Sequence, residues 1–439
     1  MIQALRIGIA GLGTVGSAVL RLFDEKAKTL ALRCGRPLKI VAVSAKNLKR
    51  KRGIAINSYK WYDDPLKLAS SEEIDVFVEL MGGEQGIAYL SVERALKTGH
   101  HVVTANKALL AHQGIALAKL AESKGLLLNF EAAVAGGIPI IKLLRESFSS
   151  NRISRVYSIL NGTCNYILTR MRDQGLSFEQ CLKEAQNLGY AEADPTLDIE
   201  GNDTAHKLAL LTSLAFGTVI MLDDIYIKGI RNISLEDIRA ADELGYRIKL
   251  LGVTIKSDTG IEQRVQPTMV PTSSMIAQVN GVTNAIAIES DLIGKLFLSG
   301  AGAGGNPTAS AILSDITDIA IFSQITAQNI PVFGRPTNIL KPYKKSAISP
   351  NSTGYFIRCS VDDCTDLFSF IAQELAKNHI SLKTIIQKSL SDNKSKPKQT
   401  ILLITHQTSE FAIYKAFNTL MQNGTIVNKP QIIRIESPV

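Results

Sequence analysis

The sequence predicts an α/β fold: a doubly wound parallel sheet at the N-terminal end, an α+β region after it, and a ferredoxin-like module at the C-terminal end. Three observations carry that reading. Over the first 135 residues, short and nearly continuous apolar runs alternate with helical stretches, the pattern of strands buried on both faces and joined by crossover helices. The first of these runs ends in a glycine-rich turn that opens a helix. From residue 352 onward the elements spell β-α-β-β-α-β, the order of a ferredoxin-like sandwich.

Leu5–Ala10 (LRIGIA) is the first strand, and Val15–Asp24 follows as a helix with Val15, Val19, Leu22 and Phe23 on one face. Leu38–Ser44, Ile74–Leu80, His101–Ala105 and Leu126–Phe130 continue the strands, with a helix at Tyr89–Thr98. Past Arg152 the texture becomes mixed. Val156–Leu160 reads as a strand, Asn161-Gly162 as a break, and Phe178–Leu188 and Asp203–Ala215 as helices. Strands follow at Ile248–Ile255, Ile261–Val270 and Asn284–Ser290, and a second glycine cluster, Gly300–Ala309, opens a helix at Ser310–Ile321. Pro331–Asn351, rich in Pro, Lys, Ser and Asn, reads as a linker. The C-terminal elements are Tyr355–Val361, Leu367–Asn378, Lys383–Leu390, Gln399–Thr405, Ser409–Gln422 and Gln431–Ile435. The resulting division is 1–135, 136–330, a linker over 331–351, and 352–439.

Bulk properties fit this plan. A chain of 439 residues calls for two or three domains, and 45% hydrophobic with 20% charged residues is ordinary for a globular core. The net charge of +9 suits an anionic ligand such as a dinucleotide phosphate, or simply a Lys-rich surface. The densest basic run, Lys46 to Arg52, contains no aromatic residue, which argues against a nucleic-acid partner. Five scattered cysteines without a CxxC pair argue against a disulfide framework or a structural zinc site. No apolar stretch is long enough to span a bilayer and the N-terminus lacks a signal-peptide pattern, so the expectation is a cytoplasmic protein without a membrane partner.

Gly11-Leu12-Gly13-Thr14-Val15-Gly16 is a G-x-G-x-x-G between a strand and a helix. Gly11 permits the tight turn, Gly13 lets backbone approach a pyrophosphate, and Gly16 lets helix and strand pack closely. The helix N-terminus, with Thr14 and Val15, offers unpaired N–H groups to the phosphates. The acidic residue that would hold the ribose 2′-OH of NAD is absent after the second strand. Ser44, Ala45 and Lys46 stand there instead, followed by Lys49, Arg50, Lys51 and Arg52, which favours NADP over NAD. A solvated basic loop is the alternative.

Gly189 to Lys207 (GYAEADPTLDIEGNDTAHK) sets Glu192, Asp194, Asp198, Glu200 and Asp203 ahead of one lysine. Asp203 and Lys207, four apart, share a helix face. That spacing is compatible with an ordinary ion pair. It also suits a site that binds a substrate ammonium and holds a protonated amine near a carbonyl.

Here the sequence resembles the homoserine dehydrogenase family. The segment follows its signature G-Y-A-E-A-D-P-T-x-D-x-x-G-x-D-x-x-x-K, and GIAGLGTVG, TANKALLA around Lys107, FEAAVAGGIPII, NGTCNYIL and GAGAGGNPTA match in the same order. The resemblance implies a Rossmann-type domain, a catalytic and dimerisation domain, and NADP- or NAD-dependent interconversion of L-aspartate 4-semialdehyde and L-homoserine. It assigns Lys207 as the general acid/base and Lys107 as a neighbour of nicotinamide and reacting oxygen. Glu192 and Asp203 would hold the substrate ammonium, with Gly162 and Thr163 also at the substrate, and Asp198 would orient Lys207. Gly302 would approach the cofactor. The turn of Glu131, Val134, Gly136 and Ile138 would hold a monovalent cation such as sodium. A homodimer or homotetramer is implied as well.

The C-terminal module resembles an ACT domain, the type that senses an amino acid such as threonine. Where such modules read D-x-P-G-V-L, this chain has Asp363-Cys364-Thr365-Asp366-Leu367, with Thr365 in place of the glycine, so the amino-acid effector stays open. Two rival readings have their own requirements. A thioester-forming semialdehyde dehydrogenase would use Cys164 as nucleophile and needs a histidine partner, which the six histidines do not supply in any recognisable pattern. A non-catalytic sensor would have no use for Lys107 and Lys207, both of which are present.

Overall fold

Two β-sheets organise the computed structural model, which describes residues 3–324, 330–346, 353–362, 367–389 and 398–437. The first sheet holds β1 (Leu5–Ala10), β2 (Leu38–Ser44), β3 (Lys60–Tyr62), β4 (Val76–Glu79), β5 (His101–Thr104) and β6 (Leu128–Asn129). All pair in parallel, in the order β3-β2-β1-β4-β5-β6. The order reverses between β1 and β4, which opens a crevice at the carboxyl ends of these strands. The strands are apolar on both faces because both are covered. Ile7, Ile9, Val76 and Val78 pack with Val19 and Leu20 of the first helix (Thr14–Cys34), whereas Phe77 and Val102 pack with Val92, Leu96 and Leu109.

The second sheet holds β7 (Ile153–Ile159), β8 (Tyr226–Ile227), β9 (Tyr246–Ser257), β10 (Gly260–Pro271), β11 (Thr283–Ser290), β12 (Lys295–Ala301), β13 (Gly354–Asp362), β14 (Leu382–Ser389), β15 (Lys398–Thr405) and β16 (Gln431–Ile435). Its order is β12-β11-β7-β9-β10-β16-β13-β15-β14, with β8 on the remaining length of β10. β16-β13-β15-β14 is the ferredoxin-like order expected from the sequence.

Three boundaries differ from the sequence expectation. The helix Gly305–Phe322, assigned to the second domain, buries Ala309, Ile312 and Ile316 in the core shared by β1 and the first helix, so the chain returns to the first sheet. The C-terminal module is not suspended on a free linker. β16 pairs in parallel with β10 through Thr268–Arg434 and Met269–Ile435, making the two regions one continuous sheet. Residues 331–346 of the expected linker form a packed strap: Val332 and Phe333 are buried, and Lys341 and Lys345 bridge to Thr218 and Ile261. Side chains clamp the same seam. Arg358 reaches the fully buried Asp237 at 2.6 Å, and the buried Arg264 of β10 pairs with Glu262 and Glu436. The strands β3, β8 and β12 were not anticipated, the first two because three and two residues are too few to show a period. Among the described residues no helix is long and apolar enough to cross a membrane.

Candidate active site

The carboxyl ends of β4 and β5 are locked before any catalytic side chain is placed. Glu79, buried at the end of β4, accepts the amides of Met81 at 2.6 Å and Gly82 at 3.1 Å and the Thr104 hydroxyl at 2.6 Å. Burial pushes its carboxyl up, and those three donors oppose the shift. Asn106 then caps the helix Lys107–Ser123 by accepting from Leu109 N, while its Nδ2 holds the Gly83 carbonyl at 2.6 Å. Lys107 therefore starts its helix in a fixed position at the crevice.

The second element at the crevice is the helix Asn202–Phe216, buried along nearly its whole length. Gly201, at φ +91°, starts it. A Cβ there would lie 3.0 Å from Val265 of β10, so glycine serves both the left-handed conformation and the close approach. Asp203 and Lys207 share the inward face as the spacing predicts.

Asp203 binds both lysines. Its Oδ1 lies 2.9 Å from Lys107 Nζ and its Oδ2 2.8 Å from Lys207 Nζ. Asn161 Nδ2 donates to the same Oδ2 at 3.0 Å and to Asp198 Oδ1 at 2.7 Å. Lys207 Nζ also donates to the Leu160 carbonyl at 2.7 Å. Burial alone would push the Asp203 carboxyl up, but Lys207 and Lys107 together overcome it and hold it well below the carboxylate range. The Asp203 charge, reinforced by Asp198 and Glu192, raises Lys107 in turn.

Lys207 is paired with Asp203, and Asp198 is reached through Asn161 rather than by the lysine itself. Burial and the neighbouring Asp203 charge push the Asp198 carboxyl up, opposite to the behaviour of an ion-paired aspartate. Asp203 is thus engaged by two ammonium groups. Glu192 is exposed at the rim and acts on Lys107 through its charge. Gly162 and Thr163 open the helix Gly162–Gln174 beside the site, with Thr163 Oγ1 donating to the Tyr190 carbonyl at 2.6 Å.

The glycine turn fits a dinucleotide phosphate. A Cβ on Gly11 would lie 2.3 Å from the Leu80 carbonyl and one on Gly16 2.0 Å from that of Gly11, whereas Gly13 has open space before it. Gly13 caps the first helix without a side-chain bond, leaving the N–H groups of Thr14 and Val15 directed at the crevice. Ala45 and the exposed Lys46 follow β2 as expected. Arg52 folds this basic loop back, donating to the Leu12 carbonyl at 3.1 Å and to that of Asn47 at 2.6 Å. The second glycine cluster packs on the same helix, Gly305 against Thr14 and Ala18.

The Glu131–Ile138 turn is present, with Gly136 at φ +56° against the backbone of Gly302. Glu131 carboxylate oxygens accept the amides of Ile141 and Lys142, each at 2.8 Å. Among the described residues no three His, Cys, Asp or Glu side chains cluster as a metal site. Cys164 is fully buried and its thiol donates to the Asp198 carbonyl at 3.2 Å. Burial pushes that thiol well up, the reverse of what a nucleophile needs. Asn161, Glu79 and Asn284 were missed from the sequence. Asn161 stood next to residues singled out there, but as part of an Asn-Gly pair it signalled only a turn.

Two family models cover this architecture: the NAD-binding domain of homoserine dehydrogenase over residues 11–131, and homoserine dehydrogenase over residues 139–317. The homoserine dehydrogenase of Neisseria gonorrhoeae is 41% identical over 99% of both chains. That of Helicobacter pylori is 40% identical over 100% of both. A crystal structure of the enzyme from Thiobacillus denitrificans superposes with a TM-score of 0.93 at 38% identity, covering 99% of each chain. A hyperthermophilic archaeal homoserine dehydrogenase in complex with NADPH superposes at 0.62 with 25% identity, covering 75% of this chain and 100% of the other. The glycine turn, the two lysines on one aspartate and these full-length likenesses agree, and the chain belongs to the homoserine dehydrogenase family of oxidoreductases with a nicotinamide-dinucleotide-binding domain.

Proposed function

We propose that the protein reduces L-aspartate 4-semialdehyde to L-homoserine, reversibly, with Lys207 as the proton donor. The single observation that carries this mechanism is Asp203 held between the Lys107 and Lys207 ammonium groups. When bound, the nicotinamide ring supplies the hydride to the aldehyde carbon, or takes it back in oxidation. The remaining work falls to the side chains. Negative charge grows on the substrate oxygen during reduction, and a fixed ammonium stabilises it and then neutralises it with a proton. An ammonium has three protons. Leu160 and Asp203 accept two from Lys207, and the third serves the reacting oxygen. Lys107, with 38% of its side chain exposed, adds a second positive charge on the same side. Glu192 and Asp198 are the carboxylates left to receive the substrate ammonium, with Gly162 and Thr163 lining it.

Gly11, Gly13, Thr14, Val15, Gly16 and Gly302 border the dinucleotide in this reading. The basic loop of Ala45, Lys46 and Arg52 beside the glycine turn favours NADP, and the NADPH complex of the archaeal relative supports the same choice. Carbonyl oxygens of Val134, Gly136 and Ile138, with Glu131 behind them, suit a monovalent cation such as sodium. The assembly is a homodimer or homotetramer acting in the cytoplasm, within threonine, methionine and isoleucine biosynthesis. The C-terminal module, which begins near residue 352, has the ferredoxin-like order that an ACT-type amino-acid sensor uses. Its first loop, from Asp363 to Asp366, lies outside the described residues.

The test compares NADP- and NAD-linked oxidation of L-homoserine by wild type, Lys207→Ala and Cys164→Ala. Turnover that Lys207→Ala lowers by roughly 10²–10⁴-fold with its circular dichroism intact is the expected result. An inactive wild type, or phosphate-dependent semialdehyde oxidation abolished by Cys164→Ala, overturns the reading.

A further inference from the structure

Asn284 enters β11 one residue past its start and pairs in register with Gly300 of β12. Its side chain is 1% exposed. Nδ2 donates to the Leu160 carbonyl at 3.1 Å, and Oδ1 is buried without a hydrogen-bond partner among the described residues. The Leu160 oxygen is the one that also receives Lys207 Nζ, at 2.7 Å. Because a carbonyl can only accept, the NH2 group must face Leu160, which makes Oδ1 the unpaired atom. A buried amide with one end unsatisfied is a costly way to fill a strand position that valine or leucine could fill. Gly302 is part of the same arrangement. A Cβ there would fall 1.9 Å from Asn284 Nδ2, so only glycine leaves room for the amide.

We propose that Asn284 is a positioning residue for Lys207, with Gly302 providing its space: the amide pins the Leu160 carbonyl, and the pinned carbonyl aims the ammonium at the reacting oxygen. The proposal rests on Lys207 being the proton donor of the reaction described above. The Leu160 oxygen has two lone pairs, one engaged by a neutral amide and one by the ammonium. Each donor reduces what the oxygen offers the other. Removing the amide turns the oxygen wholly to Lys207, so the ammonium holds its proton more tightly and loses its fixed direction. The other groups facing Lys207 are Asp203 on its own helix, Asp198 on the short helix Thr196–Ile199, the Cys164 thiol on the helix Gly162–Gln174 and Lys107, paired to the same Asp203. All four are unchanged by a substitution at 284.

The experiment uses Asn284→Ala, the isosteric Asn284→Asp, and Gly302→Ala, whose new methyl displaces the amide. Three measurements are made on each: the pH profile of homoserine oxidation, the NADPH dissociation constant, and the pH dependence of Lys207 acetylation followed by peptide mass spectrometry. Oxidation requires Lys207 to accept a proton, so its rising limb moves to higher pH in Asn284→Ala. It moves further in Asn284→Asp, which adds a negative charge beside the ammonium. The acetylation profile of Lys207 moves in the same order, and NADPH affinity of Asn284→Ala stays near that of wild type. Profiles that superimpose on wild type in all three variants overturn the proposal, as does a loss of NADPH affinity with no movement of the acetylation profile. Acetylation reads Lys207 without turnover. An inactive wild type with displaced acetylation profiles would therefore fault the reaction assignment and leave the positioning role standing.

Discussion

Asp203→Asn is the most informative single change, because one carboxylate serves two ammonium groups. The substitution keeps the shape and an acceptor for Asn161 but removes the charge. The Asp203 and Lys207 side chains are 9% and 11% exposed, so their pair sits in protein rather than water. Removing one partner of a buried pair costs about 3–5 kcal/mol, since the remaining charge is left uncompensated. Lys107 keeps 38% of its side chain in solvent and can relax outward, which places the expected loss near the lower end, about 3 kcal/mol. The sign of the pH dependence follows from the depressed carboxyl. Its stabilising effect is complete above the ordinary aspartate value of 3.8 and fades as the pH falls towards the much lower folded value. Denaturant unfolding at a series of pH values should therefore show wild type and Asp203→Asn separated at neutral pH and converging in acid. Lys107, raised chiefly by Asp203, should release its proton at lower pH in the variant, so the second positive charge beside the reacting oxygen is lost earlier as the pH rises and kcat falls with it. A variant that unfolds with wild type across the whole pH range, or keeps its kcat and pH profile, would refute the bridging role.

Three further outcomes follow from particular contacts. Gly13→Ala, with open space before it, should unfold like wild type yet bind NADPH more weakly, whereas Gly16→Ala, whose Cβ would lie 2.0 Å from the Gly11 carbonyl, should lower the unfolding midpoint as well; calorimetry with NADPH titration separates them. Lys249 is buried against the Asn165 and Val279 oxygens, and burial pushes its amine down to about 7, so wild-type stability should rise between that pH and the ordinary lysine value of 10.5, while Lys249→Met should flatten the rise in a pH series of urea unfolding curves. Arg358→Ala strands the fully buried Asp237 and should cost about 3–5 kcal/mol, with proteolysis reporting earlier exposure of the C-terminal module.

The Rossmann-type half was legible because its code is local. Five of its six strands fall where apolar runs predicted them to within a residue or two, and the glycine turn lies where its spacing placed it. The three-residue β3 carries too little sequence to show a pattern, and pairing with β2 defines it. In the site, Lys207 and Asp203 were readable from i,i+4 spacing. Lys107 emerged only by resemblance, since nothing along the chain links it to a partner 96 positions away.

By itself the sequence determined the identity and order of most elements, the dinucleotide turn, the acidic segment before Lys207 and the family. These depend on neighbours within a few residues, where backbone geometry turns spacing into shape. Tertiary structure alone decided that Asp203 holds both lysines, that Asp198 is reached through Asn161, and that Asn284 and Lys207 share one carbonyl. It also joined the C-terminal module to the catalytic sheet through β10 and β16. A hydrogen bond or ion pair forms wherever folding brings donor and acceptor together, and burial decides which of those pairings carries weight; neither distance nor burial is written in the order of residues.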